Sequence, residues 1–453
     1  MSTTAPSTIR ATVSDATIYY LFVLSSAMEP QMGIAVDFTS RVDETLLAKA
    51  LRLLVDIEPP LGYRFAPESP GLVWERVGIP SEDAILPVQT TTDAETDLHT
   101  FLASTFDECA GPQVRGLLLR APDHDTLALQ VSHVAVDGRG AVETLYRLCE
   151  LHRTLAEDPE WDPPFNSASI RDFVAAGVQG SFRDKIASIS TLATSLATGD
   201  WGAAPDSGVR GTDAYALAFI EPELLDVVRH AGRVGGATVN DLLLTAFYLS
   251  LRETLDPAVG AKTSISVGAD LRRLLSIDRG WGLSNFAAFV GLRLVASERE
   301  SFDATLVQVR DTMQPLKDDA LRRLALSRVM ADKMGNGWMR GPWRRSMVRM
   351  SGVMLKAMSG EDGSVGPVLT NIGEIDAERV RFGGGSEVSE ARWFVQMGHG
   401  ASLPLGISTF RGRAQLCASV DPTAWDPAVT QAILSGTVEA LREWASEQEL
   451  SPR

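Results

Sequence analysis

The sequence predicts a mixed α/β protein, an α+β two-layer arrangement in two lobes, on three observations. The chain has 453 residues, too many for one small core and enough for two units of roughly 200 residues each. Runs of helical and strand period alternate through the first third of the chain and alternate again after about residue 207, the pattern of sheets with helices packed on them. Between Trp161 and Asp206 the periodicity loosens into DPPFNSAS and GDWGAAPDSG, where clustered Pro, Gly and Ser mark a connection. The expected division is therefore a first lobe over 1–165, a connection over 166–206 and a second lobe over 207–453.

In the first lobe, Ser14 or Asp15 is placed to cap a helix ATIYYLFVLSS, followed by an extended GIAVDFTS. Asp43 then caps ETLLAKALRLLVD, whose leucines and alanines share one helical face. GYRF and LVWERV read as short strands. VRGLLLR and DTLALQVSHVAV, separated by Ala-Pro-Asp-His, read as a hairpin.

That hairpin runs into LALQVSHVAVDGRG, residues 127–140. Leu127, Leu129 and Val131 alternate on one face, which puts His133 on the same inward side. Asp137 follows four residues later, and Gly138 and Gly140 let the chain turn into a helix, AVETLYRLCELHRTL. A titratable imidazole at the end of a buried strand, with a carboxylate in the next turn, suits a general base.

The second lobe opens with ALAFIEPELLDVV, strand into helix, and then GGATVNDLLLTAFYLSLRETL, the clearest helix in the chain. Thr238 and Asp241 form its capping box, and Val239, Leu242, Leu243 and Ala246 its buried stripe. Next come a strand TSISVGADLRR, a turn DRGWGLSN, a strand FAAFVGLRLV and a helix capped by Ser301.

Composition narrows the function. A net charge of −16 argues against nucleic acid or an anionic membrane as partner. Hydrophobic content of 45% and charged content of 22% describe an ordinary folded chain. Cys109, Cys149 and Cys417 have no CxxC spacing, which points to reduced thiols and to neither a disulfide framework nor a zinc site. The N-terminal MSTTAPSTIRATVSD lacks the apolar core of a signal peptide. No run reaches the ~18–20 apolar residues of a membrane span. A soluble, cytoplasmic protein without a transmembrane segment is the expectation.

Five motifs occur in order: HVAVDG from His133, ATVNDLLLTAF at 237–247, the strand ending in ADLR, GLSN at 282–285 and VLTNIG at 368–373. HxxxDG alone arises by chance; the ordered set resembles the condensation-domain-like, CoA-dependent acyltransferase superfamily. Its wax-ester/diacylglycerol acyltransferase, alcohol acetyltransferase and polyketide-associated branches are nearest, and the likeness runs from about Ser14 to Pro422. Two departures stand out. Members of the wax-ester and condensation branches usually carry two adjacent histidines, and Ser132 stands where the first would be. DRGWG at 278–282 is out of place for the DFGWG of the plant-type branch.

The resemblance implies two chloramphenicol-acetyltransferase-like lobes with a tunnel between them, entered by donor and acceptor from opposite sides. It implies His133 as the base, with no acyl-enzyme, and a structural salt bridge between Asp137 and an arginine, for which Arg272 is the candidate. Ser132, Ser284, Asn285, Thr370 and Asn371 are the candidate oxyanion or tunnel residues, and Asn is also a common turn former. His399, in MGHGASLPLG, reads as part of a Gly-rich loop.

One stretch runs against the acidic whole. Residues 321–358 hold nine Lys or Arg against one acid, Asp332, with seven of the twelve methionines, Trp338 and Trp343. A basic, Met-rich surface suits an acyl chain beside the phosphates of acyl-CoA or an acidic acyl-carrier protein, and Arg344, Arg345 and Arg349 are the candidate donor-binding residues. A solvated basic helix over a Met-rich core is the structural alternative.

The expected activity is acyl transfer from a pantetheine thioester, as acyl-CoA or a phosphopantetheinyl carrier, to a hydroxyl of a small, mainly apolar acceptor. Lipid or secondary metabolism is its natural setting, and no permanently bound cofactor is needed. A free-standing condensation enzyme making an amide, and an inactive scaffold of the same fold, are the alternatives.

Overall fold

The computed structural model describes residues 5–12, 15–19, 22, 28–67, 69, 73–166, 199–201, 214–274, 283–298, 301–337, 366–400, 402–421 and 423–450. The first-lobe strands are β1 (Thr8–Arg10), β2 (Gln31–Phe38), β3 (Tyr63–Ala66), β4 (Val73–Arg76), β5 (Val88–Thr90), β6 (Val114–Arg120) and β7 (Asp125–Ser132). Later in the chain come β8 (Tyr215–Ile220), β9 (Lys262–Asp270), β10 (Ala287–Val295), β11 (Pro367–Ile375), β12 (Val388–Phe394), β13 (Leu403–Phe410) and β14 (Arg413–Ser419). The longer helices are α1 (Glu44–Ile57), α2 (Ala94–Ala103), α3 (Gly138–Glu157), α4 (Pro222–Val234), α5 (Val239–Leu255), α6 (Phe302–Pro315), α7 (Leu321–Gly337) and α8 (Pro427–Leu450).

The strands form a five-stranded sheet ordered β12-β2-β7-β6-β5, a six-stranded sheet ordered β10-β9-β11-β13-β14-β8 and a small sheet β1-β4-β3. Helices α1 and α3 pack together over the first large sheet, and α4, α5, α6 and α8 form the layer over the second. Each large sheet has its own hydrophobic core. This is the two-layer α/β architecture in two lobes that the alternation of patterns predicts.

Local chemistry explains the elements. Asp43 Oδ1 accepts from Leu46 N at 3.0 Å and starts α1. Thr238 and Asp241 form the complete capping box of α5, and Lys317 adds an ion pair to Asp241 at 2.7 Å. Ser301 caps α6. The first helix differs from expectation: Thr12 and Asp15 exchange side-chain-to-backbone hydrogen bonds at 2.9 and 3.0 Å, so the cap is Thr12 and Asp15 closes the box from inside. Strand β7 is buried on both faces. Gln130, on its polar face, donates to Leu102 O and Ser104 O at 2.8 and 2.7 Å, so α2 and its C-terminal turn cover what alternation alone leaves to water.

Strand β12 lies within the 207–453 stretch yet adds to the first-lobe sheet, antiparallel to β2 with Arg392 opposite Ala35 and Trp393 opposite Ile34. Arg392, on the far side of the sequence, binds Glu95 at 2.8 Å and Asp37 at 3.2 Å. The crossing strand joins the lobes covalently a second time. Its partner lies more than 300 residues away, beyond what local periodicity encodes.

Candidate active site

Strand β7 stops at Ser132, and the chain folds back at once. Ser132 O accepts from Ala135 N and Val136 N, both at 3.1 Å, while Ser132 Oγ accepts from Val134 N at 3.2 Å. The Ser132 side chain is thus spent inside the turn, fully buried. Asp137 is the N-cap of α3, its Oδ1 accepting from Gly140 N at 2.7 Å. Gly138 and Gly140 lie inside the first turn of α3 rather than before it, and neither has positive φ. Glycine is needed there for closeness. A Cβ on Gly138 would sit 2.8 Å from Ile372 Cγ2, and one on Gly140 would sit 3.0 Å from Ser284 O.

Asp137, at the edge of the cleft, has its second carboxylate oxygen committed to the opposite lobe. Its Oδ2 takes Arg272 Nη1 at 2.7 Å and the Phe286 backbone N–H at 2.6 Å. Arg272 in turn donates to Ser284 O at 2.8 Å and to Asp270 Oδ1 at 3.2 Å, and lies over the Phe286 ring. Burial alone would raise the Asp137 carboxyl. The Arg272 charge and hydrogen bond, with the Gly140 and Phe286 N–H groups, outweigh it and hold the carboxyl below its ordinary value. Arg272, although desolvated, is held firmly charged by Asp137 and Asp270.

His133 is buried, 7% exposed, with its backbone N–H on Pro30 O and its ring tilted against Phe22. Asn285 comes to it from the other sheet: Nδ2 donates to His133 O at 2.6 Å and lies 2.9 Å from His133 Nδ1. Ala287 N donates to Asn285 Oδ1 at 3.2 Å, which fixes the amide's orientation. Arg328 of α7 donates to Asn285 O and Ala287 O and so pins this segment. Burial pushes the imidazole below its ordinary value. A hydrogen bond to its own carbonyl and the Asp137 charge pull the other way, and Arg328 adds to the depression. Burial therefore favours the neutral ring, whose Nδ1 sits at the turn beside the Asn285 amide.

A cleft of about 80 Å³ opens on this turn. His133, Asp137, Gly138 and Arg139 line it from one sheet; Gly268, Asp270, Arg272, Ala287, Phe289, Thr370 and Asn371 line it from the other. Trp393 and Gln396, from β12 and its continuation, complete the wall.

The predicted polar residues separate on this map. Thr370 lines the cleft, and its hydroxyl makes no hydrogen bond among the described residues. Asn371 is occupied: Nδ2 donates to Asn240 Oδ1 at 2.7 Å and Oδ1 accepts from Gly373 N at 2.8 Å, stabilising the bulge at Gly373, φ +79°. Ser284 contributes its carbonyl to Arg272. Asn285 is a neighbour of the imidazole. His399 pairs with Glu29 at 2.8 Å, away from the cleft. Arg344, Arg345 and Arg349 lie outside the described residues.

Sequence reasoning missed Arg139, Arg328, Trp393 and Gln396. Arg328 was legible only as part of a basic run, and the other two wall residues reach the cleft through the crossing strand, which no local pattern announces. Among the described residues no single helix is long and apolar enough to cross a membrane.

No family model matches the chain, and no curated protein matches it. Solved structures do. The first condensation domain of the CDA synthetase is 18% identical with a TM-score of 0.67, covering 98% of this chain and 97% of that one. A mutant starter condensation domain of the rhizomide synthetase RzmA, in complex with C8-CoA, is 15% identical with a TM-score of 0.64, covering 97% and 95%. The EpoB cyclization-docking bidomain from Sorangium cellulosum is 15% identical with a TM-score of 0.65, covering 98% and 86%. Over nearly its whole length, then, this chain has the two-lobe condensation-domain-like fold that its five ordered motifs resemble.

Proposed function

We propose that the protein is an acyltransferase that moves an acyl group from a pantetheine thioester, on CoA or a carrier protein, to a hydroxyl of a small, mainly apolar acceptor. The observation that supports this most directly is a buried imidazole at the cleft between two sheets, on a turn braced from the opposite lobe by Arg272 and Asn285.

In this reading the acceptor oxygen attacks the thioester carbon, and its proton passes to Nε2 of His133 as the carbon–oxygen bond forms. The tetrahedral intermediate collapses, the carbon–sulfur bond breaks, and the imidazolium returns the proton to the departing thiolate. No acyl-enzyme forms, and the ring ends as it began. The Thr370 hydroxyl is the donor assigned to the developing oxyanion. Asp137 and Arg272 touch no substrate; they set the height and tilt of the turn. Arg344, Arg345 and Arg349 are assigned to the donor's phosphates or to an acidic carrier. A reduced cytoplasmic setting belongs to the same proposal and rests on the free cysteines Cys109, Cys149 and Cys417.

One specific observation favours a second reading: similar solved structures include condensation domains of synthetases, the first condensation domain of the CDA synthetase among them. In that case the acceptor is an amine and the product an amide. A thiol-release assay across acyl-CoA chain lengths, with a panel of alcohols and amines, separates the readings. Thiol release with alcohols supports the first. Turnover with amines, or only with a loaded carrier protein, supports the second. No turnover under any condition leaves an inactive scaffold.

A further inference from the structure

Two buried polar groups reach the His133 cleft from the crossing strand, and both lack adequate partners. Gln396 is 5% exposed and lines the cleft. Among the described residues its Nε2 donates only to Met28 Sδ, at 3.7 Å, and a thioether is a weak acceptor. Its Oε1 makes no hydrogen bond among the described residues and is not sealed from solvent, so the unmet need lies with the Nε2 donor. Trp393 is 1% exposed, lines the same cleft, and its indole nitrogen has no hydrogen-bond partner among the described residues. The ring edge that carries this nitrogen is the one packed on Gly138, in the turn after His133.

Buried donors and acceptors are nearly always paired, because leaving one unmade forfeits its hydration without return. The backbone around these two is paired: Trp393 O accepts from Gln415 Nε2 at 3.0 Å and Gln396 O from Ser419 Oγ at 2.5 Å. Other buried side-chain atoms nearby are unpaired among the described residues as well, Gln415 Oε1 and Arg392 Nε among them, but of all such atoms only the Trp393 nitrogen belongs to a residue that lines the cleft. A primary amide whose N–H has only a weak acceptor can donate to a carbonyl, and the carbonyl of a trans secondary amide is a strong, outward-facing acceptor.

We propose that Gln396 is a recognition residue for a secondary amide of the substrate, which it meets beside His133 by donating its Nε2–H to the amide carbonyl. The Trp393 indole N–H is the supporting donor. The proposal rests on the acyltransferase reading for the identity of the cleft's occupant, and deepens it by naming the group that is read. Such an amide has two sources, the pantetheine arm of the donor or a peptide-like acceptor.

Equilibrium binding to the full-length protein tests the idea, with three probes. Pantetheine carries secondary amides, 3′-phosphoadenosine 5′-diphosphate carries none, and N-acetylglycine methylamide stands for a peptide-like acceptor. The variants are Gln396→Met, which keeps the side chain's reach without its hydrogen bonds, and the near-isosteric Gln396→Glu, with melting temperature as the check on folding. Gln396→Met is expected to weaken pantetheine about tenfold, the loss of a hydrogen bond, and to leave the nucleotide probe unchanged. The same loss seen only with N-acetylglycine methylamide supports the proposal and places the amide on the acceptor. Binding of both amide probes unchanged in a folded Gln396→Met or Gln396→Glu protein overturns it, as does wild-type protein that binds neither. Thiol release is measured separately. An amide effect without turnover leaves the recognition site standing and removes the acyltransferase reading instead.

Discussion

Asp137 Oδ2 and Arg272 Nη1 meet at 2.7 Å across 135 residues of sequence, and the pair ties the histidine turn of one sheet to the strand end of the other. Both partners are largely buried, so removing one strands a charge away from water. Asp137→Asn keeps the shape and removes the charge. It is expected to cost roughly 3–5 kcal/mol of stability, the range for breaking a buried pair, and to lower turnover by displacing His133. A variant with unchanged melting temperature and unchanged rate refutes the bracing role.

The same pair sets an acid limit. The Asp137 carboxyl titrates below its ordinary value in the fold. Its contribution is therefore complete above the unfolded-state value of about 3.9 and drains away as pH falls through the lower folded value. His133 adds to the loss on the acid side at a higher pH. Burial depresses its folded value, so the unfolded chain binds the proton first, from about pH 6.5 downward. Chemical denaturation at a series of pH values should show stability declining first below about 6.5, with this step reduced in His133→Gln and the remainder carried by buried His152, whose ring is pushed down to about 4.

His133→Ala is expected to lower the rate by roughly 10²–10⁴-fold, the span of a lost general base, in a protein that still folds. In the wild type kcat/KM should stay level at neutral pH and fall only as pH drops through an inflection below about 6.5, the ordinary value, because the neutral ring is the working form. An inflection above that value contradicts a desolvated imidazole. Near-normal turnover of His133→Ala ends the mechanism outright.

Thr370 and Asn371 are adjacent but should fail differently. The Thr370 hydroxyl faces the cleft without a partner among the described residues, so Thr370→Val should reduce kcat on the order of 10²-fold with little change in melting, as for a lost oxyanion donor. Asn371 is committed to Asn240 and to the Gly373 bulge. Asn371→Ala should cost about 1–2 kcal/mol in stability and spare the rate of the folded fraction. Parallel melting curves and initial rates for the two variants decide; the reverse pattern exchanges their roles.

Much of the fold was legible because the elements carry their own instructions. Thr238 and Asp241 announce α5, Asp43 announces α1, and the alternation in β6 and β7 announces their hairpin. His133, Asp137 and Arg272 were legible through the ordered motifs. What escaped depends on distance. Nothing within VSEARWF states that β12 leaves its own lobe to pair with β2, and so Trp393 and Gln396 were invisible as cleft residues. The glycines were read as letting the chain turn into the helix; what requires them is closeness to Ile372 and Ser284, and neither has positive φ. Asn285 was placed among the oxyanion candidates, whereas its amide is spent on His133 and Ala287.

The basic stretch decides what the donor is. Residues 321–358 hold nine cations in a chain of net charge −16, and Arg328 is already committed to Asn285 O and Ala287 O, which shows one cation of the run in a structural post. If Arg344, Arg345 and Arg349 instead meet phosphates or an acidic carrier, the attraction is electrostatic and screened. Donor affinity should then fall as salt rises, because the Debye length shrinks from about 10 Å at 0.1 M to about 3 Å at 1 M. Replacing these arginines with glutamine should raise the donor KM with little effect on kcat, the mark of lost uniform binding, while the acceptor KM holds. A carrier protein docks over a wide face, so each arginine would matter modestly. A CoA phosphate would depend on one or two. Donor KM values indifferent to both salt and substitution return the stretch to a solvated helix over a Met-rich core.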